Sequence, residues 1–352
     1  MQFDSVHIAA VACDLPPDDM IVTSLALEAR LAPLYERFSL HAGRIELMSG
    51  IAERRHYPPG TRPSAIATRA GARALAAAAT VGIAKDTIGQ LFFASVCRDF
   101  LEPATASVVH HALGLVHTAP SFDLSNACLG FANSMVLGAH LIETRAVPAV
   151  LVVAGEDGGP LIDRTVAALL EPGVTRKDLK RAVASLTIGS GGAAMVLAHK
   201  DALGKHAAGL PRLVAAAQRA ATEHNELCQG DSAEGGGLLM RTDSEALLEA
   251  GVALARETWS EFQKRTGWNA ALTDRVITHQ VGSAHRRALL AGLGLDDAKD
   301  FPTVQTLGNI GSVSLPLTYA KACEAGFIQP QHKTALLGIG SGLNCSMLAI
   351  AP

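Results

Sequence analysis

The sequence predicts an α/β fold, and three observations predict it. Short apolar runs alternate with longer stretches of helical period. The 33 glycines and 16 prolines punctuate the chain between them, and a 49% hydrophobic fraction against 18% charged residues supplies a large core. In the first half, the runs 6–12, 91–96, 121–124, 149–153 and 193–197 read as strands. Between them, 24–38, 64–79, 105–113 and 129–144 read as helices. The second half repeats the rhythm, with strands at 212–216, 275–278, 334–338 and 345–350. Its helices are 244–264, 284–291 and 312–325, the middle one closed by Gly292. Two stretches break the pattern. Residues 160–185 carry charged helical patterns and read first as a solvated surface excursion, with a pocket-shaping insertion as the other reading. Residues 229–237, rich in Gly with Asp and Glu, read as a mobile loop.

Length fits either two packing units or one doubled fold, since 352 residues exceed a single small domain. Several function classes fall away on composition. A formal charge of −3 with no long basic run gives no footprint for nucleic acid or an anionic membrane, and 4% aromatics is poor for base stacking. The longest apolar stretches, such as 146–154, fall far short of the ~20 residues of a membrane span. The residues after Met1 carry no signal-peptide pattern, so a cytoplasmic location is expected. Six cysteines (Cys13, Cys97, Cys128, Cys228, Cys323, Cys345) have no Cys-x-x-Cys and no histidines at finger spacing, which argues against structural zinc and a disulfide framework.

One cysteine stands in a chemically suggestive place. The segment 122–135 runs from a short strand into a long apolar helix beginning at or just after Cys128. A sulfur there faces unsatisfied N–H groups and the positive end of the helix dipole, which favour the thiolate; a buried cysteine filling space is the alternative. Two partners lie downstream. His279 ends the strand 275–278, at the carboxyl edge where open α/β sheets place chemistry, and Asn309 stands between Gly308 and Gly311 ahead of a helix. Alone, they read as a satisfied core histidine and a helix cap. The stretch Gly338, Gly340, Ser341, Gly342 resembles half a dinucleotide fingerprint, but a strand follows it where that fingerprint needs a helix. A tight glycine turn between strands suits an oxyanion hole instead. No Gly-x-Ser-x-Gly, phosphate-binding loop or His-Glu-x-x-His occurs.

Together these residues resemble a known family. Asn-Ala-Cys128-Leu-Gly-Phe, His279-Gln and Gly-Asn309-Ile-Gly-Ser are similar to the Cys, His and Asn triad of the thiolase-fold condensing enzymes, in the ketoacyl synthase III branch. The early Gly50-Ile-Ala-Glu-Arg54-Arg55 and the glycine strand 188–197 resemble further elements of that branch. Within it, 97–107, 221–230 and 337–347 look like the olefin-biosynthesis condensing enzymes of the OleA type. The resemblance spans essentially the whole chain. It implies a layered α-β-α-β-α structure of two similar halves, residues 1–200 carrying the cysteine and 201–352 the histidine and asparagine.

The resemblance also implies a chemistry: a Claisen condensation without decarboxylation, joining two fatty acyl-CoA molecules into a β-keto acid, with no cofactor and no metal. Cys128 would carry the acyl group and His279 with Asn309 would hold an enolate. The turn Gly340, Ser341 and Gly342, with the backbone at Cys128, would hold the second oxyanion. Arg54 and Arg55 would contact CoA. Glu102 would act as the base in the site of the partner subunit of a homodimer, its alternative being a helix-terminal dipole stabiliser. A simple acyl thioester must lose a weakly acidic α-proton, so a carboxylate base is needed where malonyl donors need none. The runner-up is a decarboxylative 3-oxoacyl-ACP synthase III using malonyl-ACP. Its usual Asn-Thr-Ser-Ala and His-Gln-Ala-Asn read here as Asn309-Ile310-Gly311-Ser312 and His279-Gln280-Val281-Gly282. An ester-forming acyltransferase and a silent partner subunit are further alternatives; the second would lack the nucleophile.

Overall fold

The computed structural model describes residues 1–232 and 238–352. Nine strands form one mixed sheet: β1 (Val6–Asp14), β2 (Ile88–Phe93), β3 (Ser121–Asp123), β4 (Ala149–Glu156), β5 (Gly191–His199), β6 (Arg212–Ala220), β7 (Arg275–Thr278), β8 (Thr334–Gly340) and β9 (Asn344–Ala351). Their spatial order is β7-β8-β9-β6-β1-β5-β4-β2-β3. β2 and β4 run parallel, as do β7 and β8. The pairs β4 with β5, β5 with β1, β8 with β9 and β9 with β6 are antiparallel. The second half therefore repeats the first: β6 answers β1, β7 answers β2, β8 answers β4 and β9 answers β5. In this sheet β3 has no counterpart. β1 meets β6 through the single register pair His7 and Arg212.

The strands of both halves are apolar on both faces, as parallel-centred sheets must be. On one face of the first half Phe92, Val150 and Val152 meet Phe131, Met135 and Ile142 of α3 (Gly130–Glu143). The same buried cluster continues through Leu315, Leu317 and Tyr319 near the start of the final helix (Ser314–Glu324) to Ile277, Leu336 and Leu348 of the second half. The alternate strand residues Leu91, Phe93, Leu151 and Val153 face outward onto Ala67, Ala70 and Ala74 of α1 (Pro63–Thr80) and Val109 of α2 (Thr105–Leu113). On the far side, Ala335, Leu337 and Met347 face Leu254 and Phe262 of α4 (Ser244–Thr266) and Leu290 of α5 (Ser283–Leu293). These are the five alternating layers expected.

Several boundaries differ from expectation, each for a local reason. The helix expected at 24–38 is two, Ser24–Arg30 and Ala32–Arg37. Pro33 falls in the first turn of the second, where its missing N–H and its ring end the preceding helix. α5 passes through Gly292 to Leu293 and closes at Gly294, whose φ is +67°. Gly292 serves packing instead, because a Cβ there would fall 2.8 Å from Val252 of α4. The segment 160–185 is no solvated excursion. It forms the helices Gly159–Leu170 and Arg176–Ala182, and Ile162, Val166 and Leu169 bury against Leu27, Leu31 and Leu34. Of the loop expected at 229–237, residues 229–232 belong to the strand Cys228–Ser232, paired with Leu238–Thr242; 233–237 lie outside the described residues.

Candidate active site

The carboxyl ends of the parallel strands of both halves converge on one largely apolar cavity of about 180 Å³. β2 delivers Val96 and Cys97, β4 ends in Glu156, β7 leads into His279 and β8 ends in Gly340, and all of these line it. Cys128 and Asn309 line it too. The cysteine thus comes from the first half, and the histidine and asparagine from the second. Leu161 and Ala184, from the segment read first as a surface excursion, form part of the wall, with Leu247 and Leu248 of α4.

Cys128 sits in a tight turn between β3 and α3. Ala127 before it has φ +45°, a left-handed conformation that costs an L-residue about 1 kcal/mol or more. The turn is closed by the Leu129 N–H donating to the Asn126 carbonyl at 2.9 Å. α3 starts at Gly130, two residues past the sulfur, so the helix dipole lies nearby as expected. Burial outweighs it. The surrounding protein, then Cys228, then Glu156, push the Cys128 thiol up to about 12, against the smaller opposing pull of its own backbone N–H. The expectation of a resting thiolate is thereby corrected: desolvation disfavours the charged sulfur more than the local N–H favours it.

His279 is 7% exposed and both its ring nitrogens lack a hydrogen-bond partner. Burial, with a smaller contribution from His285, lowers its pKa to about 4, so the ring is neutral at pH 7. Its backbone N–H donates to the Leu337 carbonyl at 2.9 Å, tying the end of β7 to β8. Gln280, next in the chain, spans to the asparagine's side of the site: its Oε1 accepts from the Thr303 and Val304 N–H groups at 2.9 and 3.0 Å. Asn309 is held by its own backbone, donating to the Thr187 carbonyl at 3.0 Å and accepting from the Gly189 N–H at 2.8 Å. Its Oδ1 accepts the Gly311 N–H at 3.0 Å, which fixes the amide plane and leaves Nδ2 as the end with donors to spare. The free N–H of a neutral imidazole and a fixed amide are the donors a developing oxyanion needs, and the second ring nitrogen is left as an acceptor.

The glycine turn after β8 approaches the nucleophile turn closely. A Cβ on Gly340 would fall 3.0 Å from Leu129 Cγ and 3.5 Å from the Leu129 nitrogen. Asn344 Nδ2 spans the gap, donating to Asn126 Oδ1 at 3.4 Å and to the Ser341 carbonyl at 3.3 Å. Gly340 and Ser341 line the cavity, whereas Gly342 lies just behind them.

Three other expected residues are not brought to this chain's cavity. Glu102 lies on an exposed loop after β2, beside Leu101, which is 92% exposed. Arg54 is wholly buried. It donates to the Val22 and Leu186 carbonyls and to Ser24 Oγ at 3.4, 3.1 and 3.0 Å, so it serves packing and is not offered to CoA. Arg55 lines a separate cleft, paired with Asp18 at 2.6 Å. Conversely, sequence reasoning passed over Glu156, and it left Cys97 and Cys228, which also line the cavity, without a role. Glu156 carried a legible signal: a carboxylate ending the apolar strand 149–155, at a carboxyl edge. Among the described residues, no cluster of His, Cys, Asp and Glu could hold a metal ion, and no helix is long and apolar enough to cross a membrane.

Comparison with known proteins gives consistent matches. The family model for 3-oxoacyl-[acyl-carrier-protein] synthase III matches residues 122–210, and that for its C-terminal part matches 264–351. An acyl-CoA:acyl-CoA alkyltransferase of Shewanella oneidensis is 38% identical over 359 aligned positions, covering 99% of each chain. One of Xanthomonas campestris is 36% identical over 350, again covering 99% of each. Among solved structures, a cysteine-to-serine variant of Xanthomonas campestris OleA with bound lauric acid and lauroyl-CoA superposes with a TM-score of 0.92 at 35% identity, covering 99% of this chain and 100% of that one.

Proposed function

The chain belongs to the acyl-CoA:acyl-CoA alkyltransferases within the 3-oxoacyl-[acyl-carrier-protein] synthase III family, and from that premise we propose that Cys128 is the acyl carrier in a head-to-head Claisen condensation of two fatty acyl-CoA molecules. The observation that carries this reading is the meeting of Cys128 from one half with His279 and Asn309 from the other in a single apolar cavity. The halves divide near residue 200, between β5 and β6, and neither holds the three groups alone.

The resting pair is a thiol and a neutral imidazole. As the first thioester enters, Cys128 Sγ attacks its carbonyl, His279 takes the thiol proton, and the proton leaves on the departing CoA thiol. The tetrahedral oxyanion sits against the backbone N–H groups of Cys128 and the Gly340 to Gly342 turn; losing one such donor costs about 3 kcal/mol in the transition state. The second acyl-CoA then gives up an α-proton to Glu102 of the partner subunit, and His279 and Asn309 Nδ2 hold the enolate oxygen. The carbanion attacks the acyl carbonyl, a C–C bond forms, the acyl C–S bond breaks, and the Cys128 sulfur takes up one proton to restore the thiol, balancing the proton given to Glu102. Hydrolysis of the remaining thioester gives the β-keto acid and a second CoA.

A homodimer is favoured by the edge of the sheet. β3 ends it, Phe122 on that strand is 43% exposed, and the Glu102 loop stands out from the same region. Six unpaired cysteines suit the reducing cytoplasm. The decarboxylative reading is less favoured, because the two relatives at 38% and 36% identity bear the alkyltransferase name, whereas a beta-ketoacyl-[acyl-carrier-protein] synthase III covering 92% of the chain is 27% identical.

Purified protein given a long-chain acyl-CoA alone, with no malonyl donor, is expected to release β-keto acid and retain labelled acyl group on Cys128. A strict need for malonyl-ACP, or label retained by Cys128→Ala, would overturn the proposal.

A further inference from the structure

Glu156 is a buried carboxylate that the reaction as written does not use. It is 3% exposed, ends β4, and lines the cavity. No cation pairs with it among the described residues; three backbone N–H groups and the Cys97 thiol bond to it instead, and burial pushes its carboxyl above the usual carboxylate range against their pull. Oε1 accepts from Val96 at 2.8 Å and from Ser312 at 3.3 Å, and Oε2 accepts from Cys97 at 2.9 Å. The two oxygens therefore reach into two loops from opposite halves of the chain.

Each loop leads to a group in the proposed chemistry. On one side, the Gly311 N–H that anchors Asn309 Oδ1 belongs to the turn pressed on Glu156: a Cβ at Gly311, φ +51°, would lie 3.0 Å from Glu156 Oε1. Ser312 reinforces the contact through its hydroxyl, which donates to the Ala94 carbonyl. On the other side, Val96 and Cys97 root the loop that carries Glu102 five residues on. That loop is pinned again at Asp99, which accepts from the Ser64 N–H at 2.9 Å and donates its own N–H to Thr105 Oγ1 at 3.1 Å.

We infer that Glu156 is a positioning residue: its carboxylate fastens the turn that aims the Asn309 amide in its own cavity to the root of the loop that carries Glu102 toward the partner subunit's site, so that one side chain sets the enolate donor of one site and the base of the other. The inference rests on the reading of Asn309 and Glu102 given above. The pattern of acceptors matters as well as the shape. A carboxylate offers acceptors on both oxygens, whereas the amide of glutamine would turn an NH₂ toward one of the three N–H donors. Acylation of Cys128 needs neither Asn309 as enolate donor nor Glu102 as base, so the two half-reactions should respond differently.

The test is Glu156→Gln in the full-length protein, with circular dichroism to establish folding. Acyl transfer to Cys128 from acyl-CoA is followed by intact-protein mass, and condensation by product release. Acylation is expected within about threefold of wild type, whereas condensation turnover falls about thirtyfold or more at nearly unchanged KM, the scale expected when reacting groups are misplaced by a fraction of an ångström. Exchange of substrate α-protons with D₂O should fall in parallel. Glu156→Asp, which keeps the carboxylate one methylene short, should show the same split, smaller. Turnover within threefold of wild type would overturn the inference; so would proportional loss of both half-reactions, or failure of both variants to fold, which would make Glu156 a purely structural carboxylate. Absence of acylation in wild type itself would instead count against the proposed function.

Discussion

The reactivity of the resting Cys128 thiol toward an alkylating agent is the sharpest measure of its environment. With a pKa of about 12, the thiolate fraction at pH 8 is about 10⁻⁴, where an unperturbed cysteine near ~8.5 has about a quarter. The fractions differ roughly 2,000-fold. A more basic thiolate is intrinsically the better nucleophile, and a Brønsted coefficient of ~0.4–0.5 over that pKa difference returns a factor of about 40. The net expectation is alkylation by iodoacetamide roughly fiftyfold slower than a free cysteine peptide at pH 8. The log rate should climb with unit slope from pH 6.5 to 10 and show no plateau. Peptide mapping isolates Cys128 from Cys97 and Cys228, which share its cavity. A plateau below pH 9, or a pH 8 rate matching the free peptide, would refute the argument that desolvation outweighs the nearby helix dipole.

Three further outcomes are expected. His279 drops from 6.5 to about 4 on folding, so the unfolded chain binds its proton first; stability is full above about pH 6.5 and is lost as pH falls toward 4, by up to about 3 kcal/mol. Urea midpoints at pH 7 and pH 5 should therefore differ more for wild type than for His279→Asn, and equal differences would dismiss the linkage. Arg54→Met should lose about 2–4 kcal/mol of folding stability in denaturant titrations, because the buried Val22 and Leu186 carbonyls and Ser24 hydroxyl lose a donor; a raised KM for acyl-CoA at unchanged stability would instead restore a CoA contact. Gly340→Ala should push Leu129 and slow the acylation burst about tenfold or more, costing ~1–3 kcal/mol of stability; an unchanged burst would show that the turn can yield without disturbing Cys128.

What the sequence disclosed and what it hid follow from physics of different range. Cys128, His279 and Asn309 each stand at the end of an apolar run beside glycine or a turn, so their placement at strand ends is written locally. The repeated strand pattern likewise gives a doubled α/β fold, whereas the five layers come only with the family resemblance. Hidden are the quantities set by distant packing. Arg54 is expected from its short motif to contact CoA, yet it is fully buried and donates to Val22, Ser24 and Leu186. The helix dipole near Cys128 is legible, but the burial that overrides it comes from residues distant in sequence, in both halves of the chain. Glu156 became meaningful only when the loops at Val96 and Ser312 were seen to meet on it.

The two ends of the sheet are unequal, and the inequality sets how the protein can grow. At one end β7 is closed by its own chain: Val276 bridges to Asp300, and the Asp300 carboxylate accepts the Thr278 N–H at 3.0 Å. At the other end β3 has a partner on one side only. A sheet open at both ends is a template for filaments, since every added copy exposes a fresh edge. A sheet open at one end exhausts itself on first pairing: two copies joined edge to edge across a two-fold axis would leave nothing to extend.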